Sequence, residues 1–163
     1  MAKRTNPNQQ QDSNRDRVVT QNRRAFFDYF IDETVEAGVV LTGSEIKSIR
    51  EGKVTISEAY VRVDGDELWL IGANITPYVH GAYANHDPNR PRKLLVHKSQ
   101  IVQLREAAER HGMTLVPLCL RLRRGLAKVD VGTARGKKLY DKRQVQAERD
   151  SQRQIDQALA SRD

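Results

Sequence analysis

Apolar and polar residues alternate with a period of two in the second half of the chain, which is the pattern of strands that are buried on one face. The alternation runs from residue 118 to residue 131 and is interrupted by a tight turn at Arg124-Gly125. One set of side chains is predicted to face a core: Leu118, Leu120, Leu122, Ala127, Val129 and Val131. The other set is predicted to face outward as a largely basic stripe: Cys119, Arg121, Arg123, Lys128 and Asp130.

Earlier stretches also favour strands. Residues 26–41 are rich in aromatic and β-branched side chains and predict one long bent strand or two short ones, with Gly38 as a candidate bulge. Residues 60–63 and 68–71 flank Asp64-Gly65-Asp66, which is a strong hairpin signal. A further short strand is predicted at residues 93–97.

Two short helices are predicted between these strands. Thr42 and Glu45 have the spacing of a capping box, and Gly52 is placed to end that helix in the left-handed conformation. Residues 99–111 carry apolar side chains at helical spacing and stop at Gly112. The simplest arrangement of these predicted strands and helices is a mainly β protein, a small antiparallel barrel whose ends are covered by helices.

Both ends of the chain differ from this body. Residues 1–20 are polar without hydrophobic spacing and predict a disordered arm. Residues 132–143, GTARGKKLYDKR, contain two glycines and no apolar period, which predicts a basic hinge that is neither helix nor strand. A helix in residues 144–163 would be too poorly apolar to be stable alone. The predicted domains are the arm at 1–20, the barrel at 21–131, and a hinge and tail at 132–163.

The net charge of +7 is unevenly distributed. Residues 1–24 carry +4 and residues 121–143 carry +7, whereas residues 25–120 carry −3. Such asymmetry favours a polyanionic partner, with nucleic acid ahead of a membrane, although a solubilising basic surface would look similar. No apolar run approaches a membrane span, no secretory signal precedes the body, and one cysteine allows no intrachain disulfide, so we expect a cytoplasmic protein.

Catalysis and metal binding find little support in the sequence. The four histidines, His80, His86, His97 and His111, lie in different predicted elements without ligand spacing, and Cys119 alternates within a strand. Gly132 and Gly136-Lys137 lack the strand-then-helix setting of a phosphate-binding loop. We therefore expect no cofactor, no metal and no small-molecule substrate.

Basic residues at the predicted strands and loops favour RNA binding instead, because small barrels hold RNA on sheet surfaces that carry arginines. The candidates from this pattern are Asn22-Arg23-Arg24, Arg90, Arg92 and Lys93, and Arg121, Arg123, Arg124 and Lys128.

Several short sequence motifs, taken in their order along the chain, resemble those of the bacterial tmRNA-binding protein family, small protein B (SmpB). They are EAG, EIKS, GANITPY, RKLL and GKK-x-x-DKR, within a match that runs from about Asn22 to Arg143. The resemblance implies an oligonucleotide/oligosaccharide-binding (OB) type barrel with two to three embedded helices. It also implies a monomer without catalytic activity that binds the tRNA-like domain of tmRNA and takes it to ribosomes stalled on messages without a stop codon.

The resemblance further implies which residues contact tmRNA. The family's contact positions fall on Asn22, Glu36 and Leu95, with Arg92-Lys93 beside them. The full set expected at this site is Asn22, Arg23, Arg24, Glu36, Arg92, Lys93 and Leu95. Glu36 is unusual in a polyanion site, and three roles stay open for it: orienting a neighbouring arginine, accepting from a base edge or 2′-hydroxyl, or a purely structural role.

In the family that this chain resembles, the C-terminal tail is unstructured when free. It becomes helical in the empty messenger channel, at the small-subunit RNA of the decoding centre. The residues expected to act there are Arg135, Gly136, Lys137, Lys138, Tyr140, Asp141, Lys142 and Arg143. Asp141-Lys142-Arg143 matches the family's tail-start motif, and Tyr140 stands where some members have His.

Two other function classes stay open on the sequence alone. One is a ribosome-associated structural protein that binds ribosomal RNA constitutively. The other, more distant, is a small nuclease.

Overall fold

The computed structural model describes residues 16–78, 87–137 and 139–161. Nine strands and four helices follow one another in these described ranges. In chain order they are β1 (Arg17–Gln21), α1 (Arg23–Asp28), β2 (Tyr29–Val39), α2 (Gly43–Arg50), β3 (Val54–Thr55), β4 (Tyr60–Asp64), β5 (Glu67–Ile71), β6 (Asn74–Ile75), β7 (Arg92–Leu95), α3 (Lys98–Arg110), β8 (Thr114–Arg123), β9 (Leu126–Gly136) and α4 (Leu139–Ala160).

Six antiparallel strands close into a ring in the order β8-β4-β5-β7-β2-β9, because β8 also pairs with β9. β1 adds to β8, and β3 and β6 form a separate two-stranded sheet. The side chains that point into the ring form the main core, in which Leu68 and Val129 are fully buried. Ile49 of α2 and Leu104 of α3 join the same core. The predicted small antiparallel barrel with embedded helices is confirmed.

The predicted helix starts and turns are confirmed where local signals were strong. The hydroxyl of Thr42 accepts from the Glu45 amide at 3.4 Å, and the Thr42 amide donates to the Glu45 carboxylate at 3.0 Å, which is the reciprocal capping box at the start of α2. Gly52 closes that helix with φ of +76°. The β8–β9 hairpin turns at Arg124 and Gly125, whose φ values are 50° and 76°.

The prediction that Leu118 faces the core together with Leu120 and Leu122 is wrong. A bulge between Pro117 and Cys119 shifts the register of β8 against β9. Leu118 consequently packs in a second apolar cluster with Ala25, Val116 and Ala134, whereas Leu120 and Leu122 remain in the main core.

The aromatic stretch at residues 26–28 is also different from the strand expected there. These residues belong to α1, and β2 begins at Tyr29. Gly38 is not a bulge, because it pairs regularly with Leu95 on one side and Lys128 on the other, and the irregularity in β2 lies between Ile31 and Glu33.

Regular structure extends past both ends predicted for the barrel. Residues 17–20, assigned to the arm, pair with β8 as part of β1. Residues 132–136, expected to be neither helix nor strand, continue β9. They all pair with β2, and residues 132–134 also pair with β8, because the backbone hydrogen bonds to neighbouring strands compensate for the missing apolar period. Residues 1–15 of the predicted arm and residues 79–86 lie outside the described residues. None of the described helices is long and apolar enough to cross a membrane.

Candidate RNA-binding surface

The outer face of β8, β9 and β2 is divided between an apolar patch and a charged patch. Val116, Leu118 and Ala134 form the apolar patch, and Ala25 of α1 packs on it. The charged patch continues along the same strands, where Asp130 of β9 lies between Cys119 of β8 and Glu36 of β2 in the cross-strand register.

Asn22 fixes α1 to this face. Its side-chain oxygen caps the helix by accepting from the Ala25 amide at 3.1 Å. Its amide nitrogen donates to the carbonyls of Pro117 at 2.9 Å and Ile56 at 3.4 Å. The residue is 2% exposed, so its polar atoms are engaged inside the protein and do not face a ligand. The expectation of a direct RNA contact from Asn22 therefore disagrees with its position in this structure.

Arg23 and Arg24 follow Asn22 on α1 and are exposed. Arg24 lies 3.4 Å from the carboxylate of Asp28 and 3.8 Å from that of Glu58. Both side chains are therefore accessible, and Arg24 helps to line an open cavity of about 480 Å³.

The charged patch is a network of arginines and carboxylates. Arg121 donates to both oxygens of Asp130 at 2.6 and 2.8 Å and lies 3.5 Å from Glu36. Arg123 donates to Glu36 at 3.1 Å and to Asp16 through two bonds of 2.8 and 3.1 Å. Glu36 thus contacts both arginines, which favours the first of its three expected roles, the orientation of neighbouring guanidinium groups.

The ion pairs shift the pKa values of Asp16, Arg121 and Arg123. The hydrogen bond from Arg123 lowers the pKa of Asp16, and the same bond raises the pKa of Arg123. The hydrogen bond with Asp130 raises the pKa of Arg121. Burial, followed by the charge of Asp130, raises the pKa of the Cys119 thiol, which favours its protonated form.

A groove of about 420 Å³ adjoins the network at the other end of the face. Its lining includes Glu36, Leu95, His97 and Lys128. Leu95 is 55% exposed and lies across from Gly38, where an added Cβ would sit 3.5 Å from the Leu95 Cβ. The groove therefore presents an apolar side chain, an ammonium group and a carboxylate together.

Lys93 and Arg92 are neighbours in β7 but face opposite sides. Lys93 is partly exposed and forms an ion pair of 3.3 Å with Glu67. Arg92 is 0% exposed and binds the carboxylate of Glu45. Alternation along β7 turns the Arg92 guanidinium into the protein, so its position in this structure disagrees with the expected RNA contact.

Glu45 is the buried partner that sequence reasoning missed. It accepts from Arg90 and Arg92 as well as from the Thr42 amide. Burial alone would raise the pKa of Glu45, but the hydrogen bonds from Arg90, Thr42 and Arg92 outweigh it and lower the pKa to about 2. Its spacing from Thr42 signalled the helix cap, and no local signal indicated arginines that lie 45 and 47 residues further along the chain.

The expected tail residues lie at the far end of β9 and in α4. Arg135 binds Asp32 at 3.1 Å, and the ammonium of Lys137 lies 5.1 Å from the ring centre of Phe30. Lys142 binds Asp28 at 3.1 Å, which places the start of α4 beside α1. The remaining members are Gly136 at the end of β9, Tyr140 and Asp141 in the backbone of α4, and exposed Arg143. Lys138 lies outside the described residues.

This arrangement can exchange one anion for another. An arginine that binds a carboxylate through two hydrogen bonds presents the same geometry to a phosphate. A base can pack on an exposed leucine, and a lysine beside it can neutralise the backbone. Within the described ranges, no group of three or more His, Cys, Asp or Glu side chains is arranged to hold a metal ion.

Comparisons with known proteins agree with one another. The family model described as SmpB protein matches residues 19–161. A Roseiflexus castenholzii relative named SsrA-binding protein is 57% identical over 148 residues, which cover 90% of this chain and 94% of the relative. Relatives of the same name from Desulfitobacterium hafniense and Caulobacter vibrioides are 50% and 55% identical, over 86% and 83% of this chain and 90% of each relative.

A solved structure supports the same assignment. A chain from "tmRNA-SmpB: a journey to the center of the bacterial ribosome" is 50% identical and superposes with a TM-score of 0.63. The superposition covers 74% of the chain described here and 85% of the solved chain.

Proposed function

This chain belongs to the SmpB family, and from that premise we propose that it binds the tRNA-like domain of tmRNA and delivers it to stalled ribosomes in trans-translation. The names of the relatives and of the solved complex support the partner and the process. The protein acts as a binding factor and not as an enzyme, in the cytoplasm, where its ribosomal partner is found.

The outer face of β2, β7, β8 and β9 is the tmRNA-binding surface in this proposal. The assignment of this surface rests on one observation. Glu36 and Leu95, which are far apart in the sequence, line one groove together with Lys128. Arg121 and Arg123, which both contact Glu36, place two further guanidinium groups on the same face. RNA phosphates would replace part of the carboxylate contacts of these arginines, and Leu95 would pack against a base.

Mobility shift at several salt concentrations tests this surface with the full-length protein and a transcript of the tRNA-like domain. We expect affinity to fall steeply as salt rises, since each neutralised phosphate releases counterions. Lys128→Ala should lower the slope of log affinity against log salt by about 1. Leu95→Ala should weaken binding without changing the slope, whereas Leu126→Ala, which removes a leucine that is 61% exposed but lies at the hairpin turn, is the matched control. Absence of a complex at low salt would refute the proposal.

The C-terminal segment is proposed to contact the ribosome and not tmRNA. Its basic residues, Arg135, Lys137, Lys142 and Arg143, lie beyond the groove, and α4 touches the rest of the protein chiefly through α1. Most of the side chains of α4 are exposed, so little packing opposes its movement into a new site.

Truncation after Gly136 tests this division, because it keeps all nine strands of the described structure and removes α4. We expect tmRNA affinity to stay within about twofold, and tagging on stalled ribosomes to be lost. Equal loss of both activities would contradict the division.

Sedimentation of ribosomal subunits distinguishes the proposed function from that of a constitutive ribosomal RNA-binding protein, which would stay on non-stalled subunits without tmRNA. RNA cleavage that a chelator abolishes would instead indicate a nuclease.

A further inference from the structure

We propose that buried Glu45 is a positioning residue for RNA binding, which holds β7 so that Leu95 is presented at a fixed place beside Glu36, with Lys93 exposed on the same side of the strand. The proposal rests on the function proposed above, and it assigns to Glu45 no contact with RNA.

The Glu45 carboxylate joins three separate segments. One oxygen accepts from the Thr42 amide at 3.0 Å, at the start of α2, and from the Arg90 Nε at 3.1 Å, in the loop before β7. The other oxygen accepts from the Arg92 Nε in β7 itself. Glu45 and Arg92 are both 0% exposed, so water does not compete for the bond between them.

Arg92 extends the connection further. Its remaining nitrogens donate to the carbonyl of Ala73 at 2.9 Å and to that of Pro88 at 3.0 Å. The buried pair therefore links α2, the loop before β7, β7 and the segment after β5. We call Glu45 together with Arg90 and Arg92 the clamp.

β7 pairs with β5 at three register positions, but its ladder with β2 is short, so the clamp adds to a small number of contacts between β7 and β2. The register joins them through two pairs only, Gly38 with Leu95 and Val39 with Leu94. One more backbone bond runs from the Val40 amide to the Lys93 carbonyl, at 3.0 Å. β2 carries Glu36, and α2 follows it closely, so a bond from Glu45 to Arg92 sets the distance between the two strands that carry the groove.

The clamp also sets which side chains of β7 face outward. Side chains alternate along a strand, so an arginine that is held inside at position 92 places residues 93 and 95 outside. If the guanidinium loses its buried partner, it must find another anion or move toward water. Either movement displaces Leu95, which lines the groove, together with Lys93 on the same side of the strand.

The test uses Glu45→Gln in the full-length protein, which keeps the shape of the side chain and removes its charge. We expect the dissociation constant for the tRNA-like transcript to rise about tenfold at a temperature where circular dichroism shows a folded protein. Faster hydrogen exchange at the Val40 amide, with unchanged exchange in the β8–β9 hairpin, is the accompanying sign of a displaced β7.

A double-mutant comparison separates positioning from general destabilisation. In a Leu95→Ala background, Glu45→Gln should weaken binding by less than about twofold more, because the residue that it positions is gone. In an Arg23→Ala background, where the changed residue lies on α1, the same substitution should keep its full effect. An equal tenfold loss in both backgrounds would overturn the proposal, and so would a folded Glu45→Gln protein whose melting temperature falls while its affinity stays within twofold.

Two further outcomes are decisive. If Glu45→Gln does not fold, Arg90→Gln removes one arm of the clamp at a side chain that is 31% exposed, and it should weaken binding about threefold; an unchanged affinity would overturn the proposal. If Leu95→Ala and Lys93→Ala each bind as tightly as the unmodified protein, the proposed RNA surface is wrong. That failure is recognised without any Glu45 variant.

Discussion

The expected RNA contact of Asn22 and its buried position in the structure lead to opposite predictions for a substitution at this residue. The substitution Asn22→Ala removes the N-cap of α1, which costs about 1 kcal/mol. It also removes the donor to the buried Pro117 carbonyl, and an unsatisfied buried acceptor costs roughly 1–3 kcal/mol. The free energy of unfolding should therefore fall by about 3 kcal/mol in total. For a chain of this size that corresponds to a melting temperature lower by roughly 6–12 °C.

Thermal and urea unfolding followed by circular dichroism measure this loss. Asn22→Ser is the informative second variant, because its hydroxyl can still accept from the Ala25 amide but cannot reach as Asn22 does to Pro117. We expect it to be more stable than Asn22→Ala by about 1 kcal/mol. Arg23→Ala is the neighbouring control, and it should weaken RNA binding with little change in stability.

The result that refutes this reasoning is simple to recognise. If Asn22→Ala melts within 2 °C of the unmodified protein, roughly the effect of less than 1 kcal/mol, and yet loses tmRNA affinity about tenfold, then its amide contacts RNA directly. The hydrogen bonds to Pro117 and Ile56 would then be unimportant for folding.

Two further predictions concern packing and pH. Gly132→Ala would place a Cβ 2.8 Å from the Leu118 Cδ1, so we expect the free energy of unfolding to fall by about 1–3 kcal/mol in urea titrations. Gly43→Ala is the control, because nothing lies within 4 Å of the added Cβ, and it should show no such loss. Equal effects of the two substitutions would contradict the clash. The pKa of Glu45 is lowered to about 2, so its contribution to stability is present above the ordinary carboxyl range and is lost as pH falls from about 5 toward 2. Urea midpoints across that range should fall less in Glu45→Gln, and an unchanged pH dependence would assign the acid sensitivity to other carboxylates.

The sequence predicted those features that depend on residues close together in the chain. The alternation in β8 and β9, the Asp64-Gly65 hairpin and the capping box between Thr42 and Glu45 each depend on neighbours in the chain, and all of them form as expected apart from the bulge before Cys119. The family resemblance added the partner and the candidate site residues, whose roles stay predictions. Among these, Glu36 and Leu95 do lie together on one groove.

Tertiary structure decided the direction in which individual side chains face. The aromatic segment before β2 became a helix because Asn22 finds carbonyl partners at Pro117 and Ile56, and because Ala25 finds an apolar patch on distant strands. Leu118 left the main core because a single bulge reversed the alternation at that point.

Arg92 and Lys93 show the same division most clearly. The sequence by itself predicted a short strand that begins at Lys93, and it gave Arg92 and Lys93 together as candidate RNA contacts without distinguishing the sides that they face. Only the pairing of β7 with its neighbours, together with a carboxylate on α2, decided that Arg92 is the one that faces inward. Burial of a guanidinium is favourable only where a charged partner and carbonyl acceptors already converge, and that convergence is a property of the folded barrel and not of any local stretch of the chain.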